Sequence, residues 1–225
     1  MHRLILAAVI VAMSSGADAQ LPRFDGRLIP ARTDTFVVRY AGDVIGRGIM
    51  ERKAHGAELV QVYVWTPEAS TDRVVDSLFL SLPALRTLRE VRVLTDSVVA
   101  ITFLNDTIVV EAGVTEGPRS RGVGWGARDS HSSAALEALA LSAPLRDGYS
   151  EQVQLFYGPP IGPGFAVVTL RVERSENVRS PGVGLREAWV VTATTPSGDT
   201  TFWIDKATRM LLQYDTREGT ALIEF

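Results

Sequence analysis

Apolar and polar residues alternate in short runs along most of this chain, and turn-forming residues separate the runs. Residues 35–40 (TFVVRY), 44–52 (VIGRGIMER) and 58–65 (ELVQVYVW) follow the rule, with turns at Ala41-Gly42-Asp43 and at 53–57 between them. In the third run Val60, Val62 and Val64 share one face, and Leu59, Tyr63 and Trp65 share the other, as the twofold period of a strand requires. Gly46 and Gly48 inside the second run predict a bulge or close packing. Residues 73–81 and 87–94 flank a connection at 82–86. A helix over 80–94 competes with this reading, but Pro83 and the β-branched Val91 and Val93 favour strands. Runs at 97–104 and 107–112 follow, and short strands with turns between them predict an antiparallel meander.

The alternation stops at residues 113–130 (GVTEGPRSRGVGWGARDS), where glycine is too frequent for either element and a long, functional or mobile loop is expected. Ser132 or Ser133 then caps a helix over 134–142, which Pro144 ends. Leu136, Leu139, Ala140 and Ala143 fall on one face of it, and a helix this short must dock on the sheet. Strands resume at 151–157, 164–173, 185–195 and 221–225. Between the last two lies residues 200–215 (TTFWIDKATRMLLQYD), a hairpin turning at 205–208, where Asp205 and Thr208 can bond nearby amides. A register with Ile204 opposite Arg209 places Trp203 against Met210 and Phe202 against Leu211. Both faces are then apolar, so the sheet must curl onto itself, onto the helix, or around a ligand.

Residues 1–19 read as a signal peptide. Arg3 precedes the apolar run 4–13, and Ala17-Asp18-Ala19 is a cleavage signal. Residues 20–33, with two prolines and a glycine, are expected to lie as a leader over the surface of a single domain spanning 34–225 with helix 134–142. The chain contains no cysteine, so an exported domain would be held by its core alone. A net charge of −3, from 23 Lys and Arg against 26 Asp and Glu, gives no reason to expect a nucleic-acid partner.

Beyond the signal, His55 and His131 are the histidines, and without HExxH or cysteine pairs neither a metal site nor a cofactor is expected. Asp129-Ser130-His131-Ser132 combines an acid, a nucleophile and a base, yet triads come from separate elements and helix capping explains the serines better. Gly122-Val123-Gly124-Trp125-Gly126 lacks the Lys-Ser/Thr of a phosphate loop, and a lid carrying Trp125 is the functional alternative to simple packing. Asp76, Glu90, Glu173 and Glu187 have no spacing that suggests paired-carboxylate chemistry.

Three segments carry a family resemblance: residues 131–156 (HSSAALEALALSAPLRDGYSEQVQLF), the Trp203-Ile204-Asp205-Lys206 turn, and residues 76–89 (DSLFLSLPALRTLR). They resemble a bacterial envelope domain family of unknown function, and the Trp203-Ile204-Asp205-Lys206 hairpin, more distantly, resembles the last hairpin of LolA/LolB-type lipoprotein carriers. Ala143-Pro144-Leu145 departs from that family's Leu-Pro-Leu. The resemblance implies a mainly β fold, a strongly curved antiparallel sheet or half-barrel wrapped around a short helix, with an apolar cavity in the LolA-like members.

The function expected is therefore a periplasmic or envelope protein, not an enzyme, that binds a lipid or acyl chain. Trp65, Trp125, Leu136, Leu139, Trp189, Trp203, Met210 and Leu212 are the candidate ligand contacts. Peripheral membrane contact fits this reading. An envelope module with a protein partner is the alternative, and the terminal Phe225 after an alternating strand raises an outer-membrane barrel as a third.

Overall fold

The computed structural model describes residues 23–70, 72–126, 129–158, 164–195, 198–216 and 219–224. The expected signal peptide and Phe225 lie outside the described residues. The strands are β1 (Thr33–Tyr40), β2 (Asp43–His55), β3 (Glu58–Pro67), β4 (Val74–Ser81), β5 (Thr87–Val93), β6 (Ser97–Leu104), β7 (Thr107–Val114), β8 (Arg119–Trp125), β9 (Ser130–Ser132), β10 (Ser150–Tyr157), β11 (Gly164–Ser180), β12 (Gly184–Thr195), β13 (Gly198–Asp205), β14 (Leu211–Thr216) and β15 (Gly219–Glu224). A 3₁₀ turn, Ser133–Ala135, leads into the helix α1 (Leu136–Ser142).

Among the described residues, all fifteen strands belong to one sheet, ordered β8-β7-β6-β5-β4-β3-β2-β1-β15-β14-β13-β12-β11-β10-β9. Two meanders make it up, and antiparallel pairing of β1 with β15 joins them, Phe36 standing opposite Ile223. The sheet is strongly curved but does not close. Its two flanks meet through side chains: the Ser132 amide donates to Thr87 Oγ1 at 3.0 Å, and the rings of Phe103 and Phe156 meet edge to face at 6.1 Å. The exception to the antiparallel rule is β9, three residues long and parallel to β10.

The helix sits in the hollow of this sheet. A face led by Leu136 and Leu139 was expected to dock, yet Ala138, Leu139, Ala140 and Leu141 are all fully buried, because the curled sheet surrounds the helix. Its ends are satisfied from both sides. Ser132 Oγ accepts from the Ala134 amide at the start of the 3₁₀ turn that leads into it. At the end, Arg209 Nη1 donates to the Leu141 and Ala143 carbonyls at 2.9 and 2.6 Å, and the Asp25 amide donates to the Ser142 carbonyl at 3.2 Å. Orphan carbonyls at a helix end attract such donors and positive charge.

Two expectations are corrected by this arrangement. The described part of the leader does not merely lie over the surface: Phe24 and Ile29 enter the core, and a short 3₁₀ turn, Gly26–Leu28, presses so close to Leu82 and Leu85 that a Cβ on Gly26 would stand 2.4 Å from Leu82. Residues 113–130 are not one long loop either. Strand β7 continues to Val114 and β8 pairs along it, with Gly122 and Gly124 opposite Val110 and Ile108. An edge strand pairs on one side alone, so it tolerates glycines that an interior strand would not.

The hairpin of β13 and β14 is present, with a wider turn than expected. Asp205 Oδ1 accepts from the Ala207 and Thr208 amides, the Asp205 amide donates to the Met210 carbonyl, and Arg209 takes a left-handed conformation with φ of 59°. Ile204 therefore pairs with Leu211, Trp203 with Gln213 and Phe202 with Tyr214, and a bulge at Trp203/Ile204 leaves Leu212 as the extra residue. The expected pairing of Trp203 with Met210 does not form.

Candidate functional site

Register alone assembles the concave face beside the start of the helix. Across β2 to β5, Met50, Tyr63, Asp76 and Arg92 stand opposite one another in a row, and Arg52, Gln61, Leu78 and Glu90 form the next row. Phe202 and Tyr214 pair from the far meander. Between these walls, Ala134 of the 3₁₀ turn and the helix residues Leu136 and Glu137 lies a cavity of about 440 Å³. Met50, Leu78, Leu136 and Phe202 give it apolar walls, while Gln61, Thr200 and Thr216 add hydrogen-bonding groups.

Its charges are held in place. Arg92 makes a two-pronged contact with Asp76, Nε to Oδ1 at 2.6 Å and Nη2 to Oδ2 at 3.0 Å, and that hydrogen bonding raises the guanidinium pKa above its usual range. Arg52, fully buried behind the cavity, binds Asp34 at 2.7 Å, Glu137, and Gln61 Oε1 at 3.3 Å. Burial opposes the Arg52 charge, but Glu137 and Asp34 outweigh it and its pKa rises.

Four aromatic rings gather around the same hollow. Phe36 meets Tyr63 and Tyr214 edge to face, at 6.5 and 6.2 Å, and Tyr214 stands 6.5 Å from Phe202. The Tyr63 and Tyr214 hydroxyls share a hydrogen bond. Burial pushes both tyrosine pKa values up, and the carboxylate of Glu137 adds to the rise at each. Glycines make room for this wall: a Cβ on Gly48 would lie 2.8 Å from the Tyr63 ring, and one on Gly46 would lie 2.7 Å from Trp65 Nε1.

At the seam between the two flanks of the sheet, Glu90 accepts from Ser132 Oγ in a short contact. Burial raises the Glu90 pKa, and the Ser132 bond offsets part of the rise. His131 Nδ1 lies 3.1 Å from the Leu85 carbonyl oxygen and its ring meets Phe24 edge to face. Burial lowers the His131 pKa. Ser132 thus joins β9 to β5 and starts the turn into the helix, while His131 Nδ1 meets the connection that precedes β5. A wider groove of about 750 Å³ runs outside this seam, lined by Arg23, Arg86, Asp129, His131 and Gln152 among others. Among the described residues, no three His, Asp or Glu side chains cluster as a metal site would need.

Of the sequence-derived ligand contacts, Leu136 lines the concave cavity. Leu139 is core, and Leu212 is fully buried at the bulge. Trp65 continues the inward row of Leu59 and Tyr63 on β3, half-buried, with Nε1 sealed and without a hydrogen-bond partner. Trp189 carries Lys206 Nζ over its ring at 4.3 Å, and that amine also binds Glu187 at 2.6 Å. Trp203 points away from Phe202 and Ile204, to the convex side, where Nε1 donates to Glu176 Oε1 at 2.6 Å. Met210 sits half-buried in the turn before β14. Trp125 ends β8, and its side chain lies outside the described ones. Tyr63, Asp76, Arg92, Glu137, Phe202 and Tyr214, which define the cavity, were not among the candidates. For all but Glu137, which is on the helix, their signal was charged and aromatic residues at inward positions of alternating strands.

Fold and site together define a half-barrel of one antiparallel sheet, wrapped on a helix, with a hollow that is part apolar and part charged. Two solved structures are similar in fold. One is described as a beta-barrel-like protein of domain of unknown function DUF1849 from Brucella abortus, 11% identical over 85% of this chain and 93% of that one, with a TM-score of 0.47. The other is the hypothetical lipoprotein YmcC from Escherichia coli K12, 15% identical over 92% of this chain and 90% of that one, with a TM-score of 0.38. No protein-family model and no curated protein matches the sequence.

Proposed function

We propose that this chain is a non-enzymatic protein of the bacterial cell envelope that holds an amphipathic ligand, a lipid or a molecule with an acyl or alkyl chain, inside its curved sheet. The observation that carries the reading is the cavity of about 440 Å³ between Met50, Leu78, Leu136 and Phe202, because apolar concave space of this size is the usual form of a small-ligand site. The resemblance of the Trp203-Ile204-Asp205-Lys206 turn to lipoprotein carriers supports it, as does the apparent signal peptide. The polar half of the wall shifts the expected ligand from a bare hydrocarbon to one with a polar head.

Native mass spectrometry of the exported protein, followed by organic extraction and analysis of the extract, tests the reading. A bound amphiphile, lost when Leu136→Trp fills the cavity, is the expected result. A ligand-free protein that takes up no alkyl compound would remove it. A second reading, a module that recruits an envelope partner by strand addition, is favoured by the exposed edge strand β8. Crosslinking that returns no partner through β8 would remove that one.

A further inference from the structure

We propose that the cavity selects ligands whose head is a cation, an ammonium or quaternary ammonium group, carried on an aliphatic chain. This rests on the ligand-binding reading above and adds the chemistry of the head. The first observation is the aromatic wall. Tyr63, Phe202 and Tyr214 border one hollow, with Phe36 buttressing both tyrosines. Aromatic faces attract cations through the ring quadrupole, and clustered rings are a recurrent receptor for quaternary ammonium.

The second observation is the balance of fixed charge. Arg92 is the basic residue of the lining, and its Nε and Nη2 are committed to Asp76. An anionic head could take a two-pronged contact through Nε and Nη2 only by breaking that pair. Glu137 and Asp76 both line the hollow, Asp76 paired with Arg92 in the lining and Glu137 with Arg52 behind it. Their field is felt at the rings: both carboxylates push the Tyr63 hydroxyl toward its protonated form, and Glu137 does the same at Tyr214. The carboxylates' share of that rise favours a cation at the same place, while burial, the larger cause, opposes either charge. Behind the wall Arg52 is fully buried and shared among Asp34, Glu137 and Gln61, so it offers nothing to an incoming anion. The apolar part of the lining, Met50, Leu78 and Leu136, then receives the chain.

Titration calorimetry with octyltrimethylammonium, octyl glucoside and octyl sulfate, each below its micelle-forming concentration, holds the chain constant and varies the head. The cation should bind at least about tenfold more tightly than the glucoside, the scale of a desolvated cation–π contact, and the sulfate most weakly. Tyr63→Leu should bring the cation down to the glucoside's affinity, and Asp76→Asn, which frees Arg92, should shift preference toward the sulfate. Near-UV circular dichroism identifies which variants fold, and Asp76→Asn decides the matter if Tyr63→Leu does not. Equal binding of the three heads, or a preference for sulfate in the unmutated protein, overturns the head-group inference and leaves the cavity reading standing. Binding of none of them overturns both.

Discussion

Arg52 Nη1 lies 2.7 Å from Asp34 Oδ2, with the arginine side chain 1% exposed and the aspartate sealed. The pair joins β2 to the start of β1, and the same guanidinium holds Glu137 on the helix. Removing the guanidinium leaves Glu137 charged and poorly solvated, while Asp34 keeps Arg32 Nε at 2.5 Å. Arg52→Leu should therefore destabilise the fold by about 3–5 kcal/mol in urea unfolding. A loss below that of an ordinary surface substitution would mean that Asp34 and Glu137 are not held by Arg52.

Gly48 lies under the ring of Tyr63, where an added Cβ would stand 2.8 Å from the nearest ring atom. Gly48→Ala must displace that ring, and overpacking of this kind costs about 1–3 kcal/mol. The expected result is a lowered melting temperature together with weaker uptake of an alkyl ammonium probe. Wild-type stability and binding in the variant would show that the ring does not lie across this glycine.

Two titrating groups sit on the same seam with opposite signs. The folded pKa of Glu90 is raised by burial from its usual 4.5, so its contribution is complete below that value and is lost as pH rises through the folded pKa. His131 has its folded pKa lowered by burial from 6.5, so its contribution is complete above that value and is lost as pH falls through the folded pKa. Melting temperature followed across pH should decline more gently on the alkaline side in Glu90→Gln and on the acidic side in His131→Gln. Unchanged profiles in both variants would mean that neither group titrates with unfolding.

Trp203 bonds Glu176 on the convex face, with the cavity on the other side of the sheet. Trp203→Phe should cost about 1 kcal/mol for the lost hydrogen bond and leave ligand binding as it was. Weakened binding with unchanged stability would return Trp203 to the ligand site.

Much of this fold was legible because strand periodicity and turn chemistry are local. The meander, the Ser132 cap, the helix and the strands from β1 to β7 follow from alternation punctuated by turns. What escaped depends on neighbours far along the chain. Phe24 and Ile29 read as leader because nothing near them in the sequence shows the core that takes them in. The glycines of β8 hid a strand that pairs on one side only. Site residues were sought among tryptophans, whose size makes them conspicuous, yet Trp203 faces outward once the wide Asp205 turn and its bulge set the register. The charged pair was within reach: a register centred on Ala84, in the expected turn at 82–86, places Asp76 opposite Arg92 and Leu78 opposite Glu90.

The ladder between β1 and β15 has a consequence for how the chain must fold. Every other antiparallel ladder joins strands that follow one another in sequence, whereas this one brings residues beginning at Thr33 against residues beginning at Gly219. Closing so long a loop costs chain entropy before any contact repays it, and non-local pairing of this kind slows folding. The two meanders should thus acquire protected amides first, as separate units, and be sewn together afterwards. Pulse-labelled hydrogen exchange during refolding would see this as late protection in β1 and β15 against early protection in β6 with β7 and in β11 with β12. The hollow between the meanders cannot exist until that seam is made, so a ligand that fills it should act on the last stage of folding and leave the earlier ones untouched.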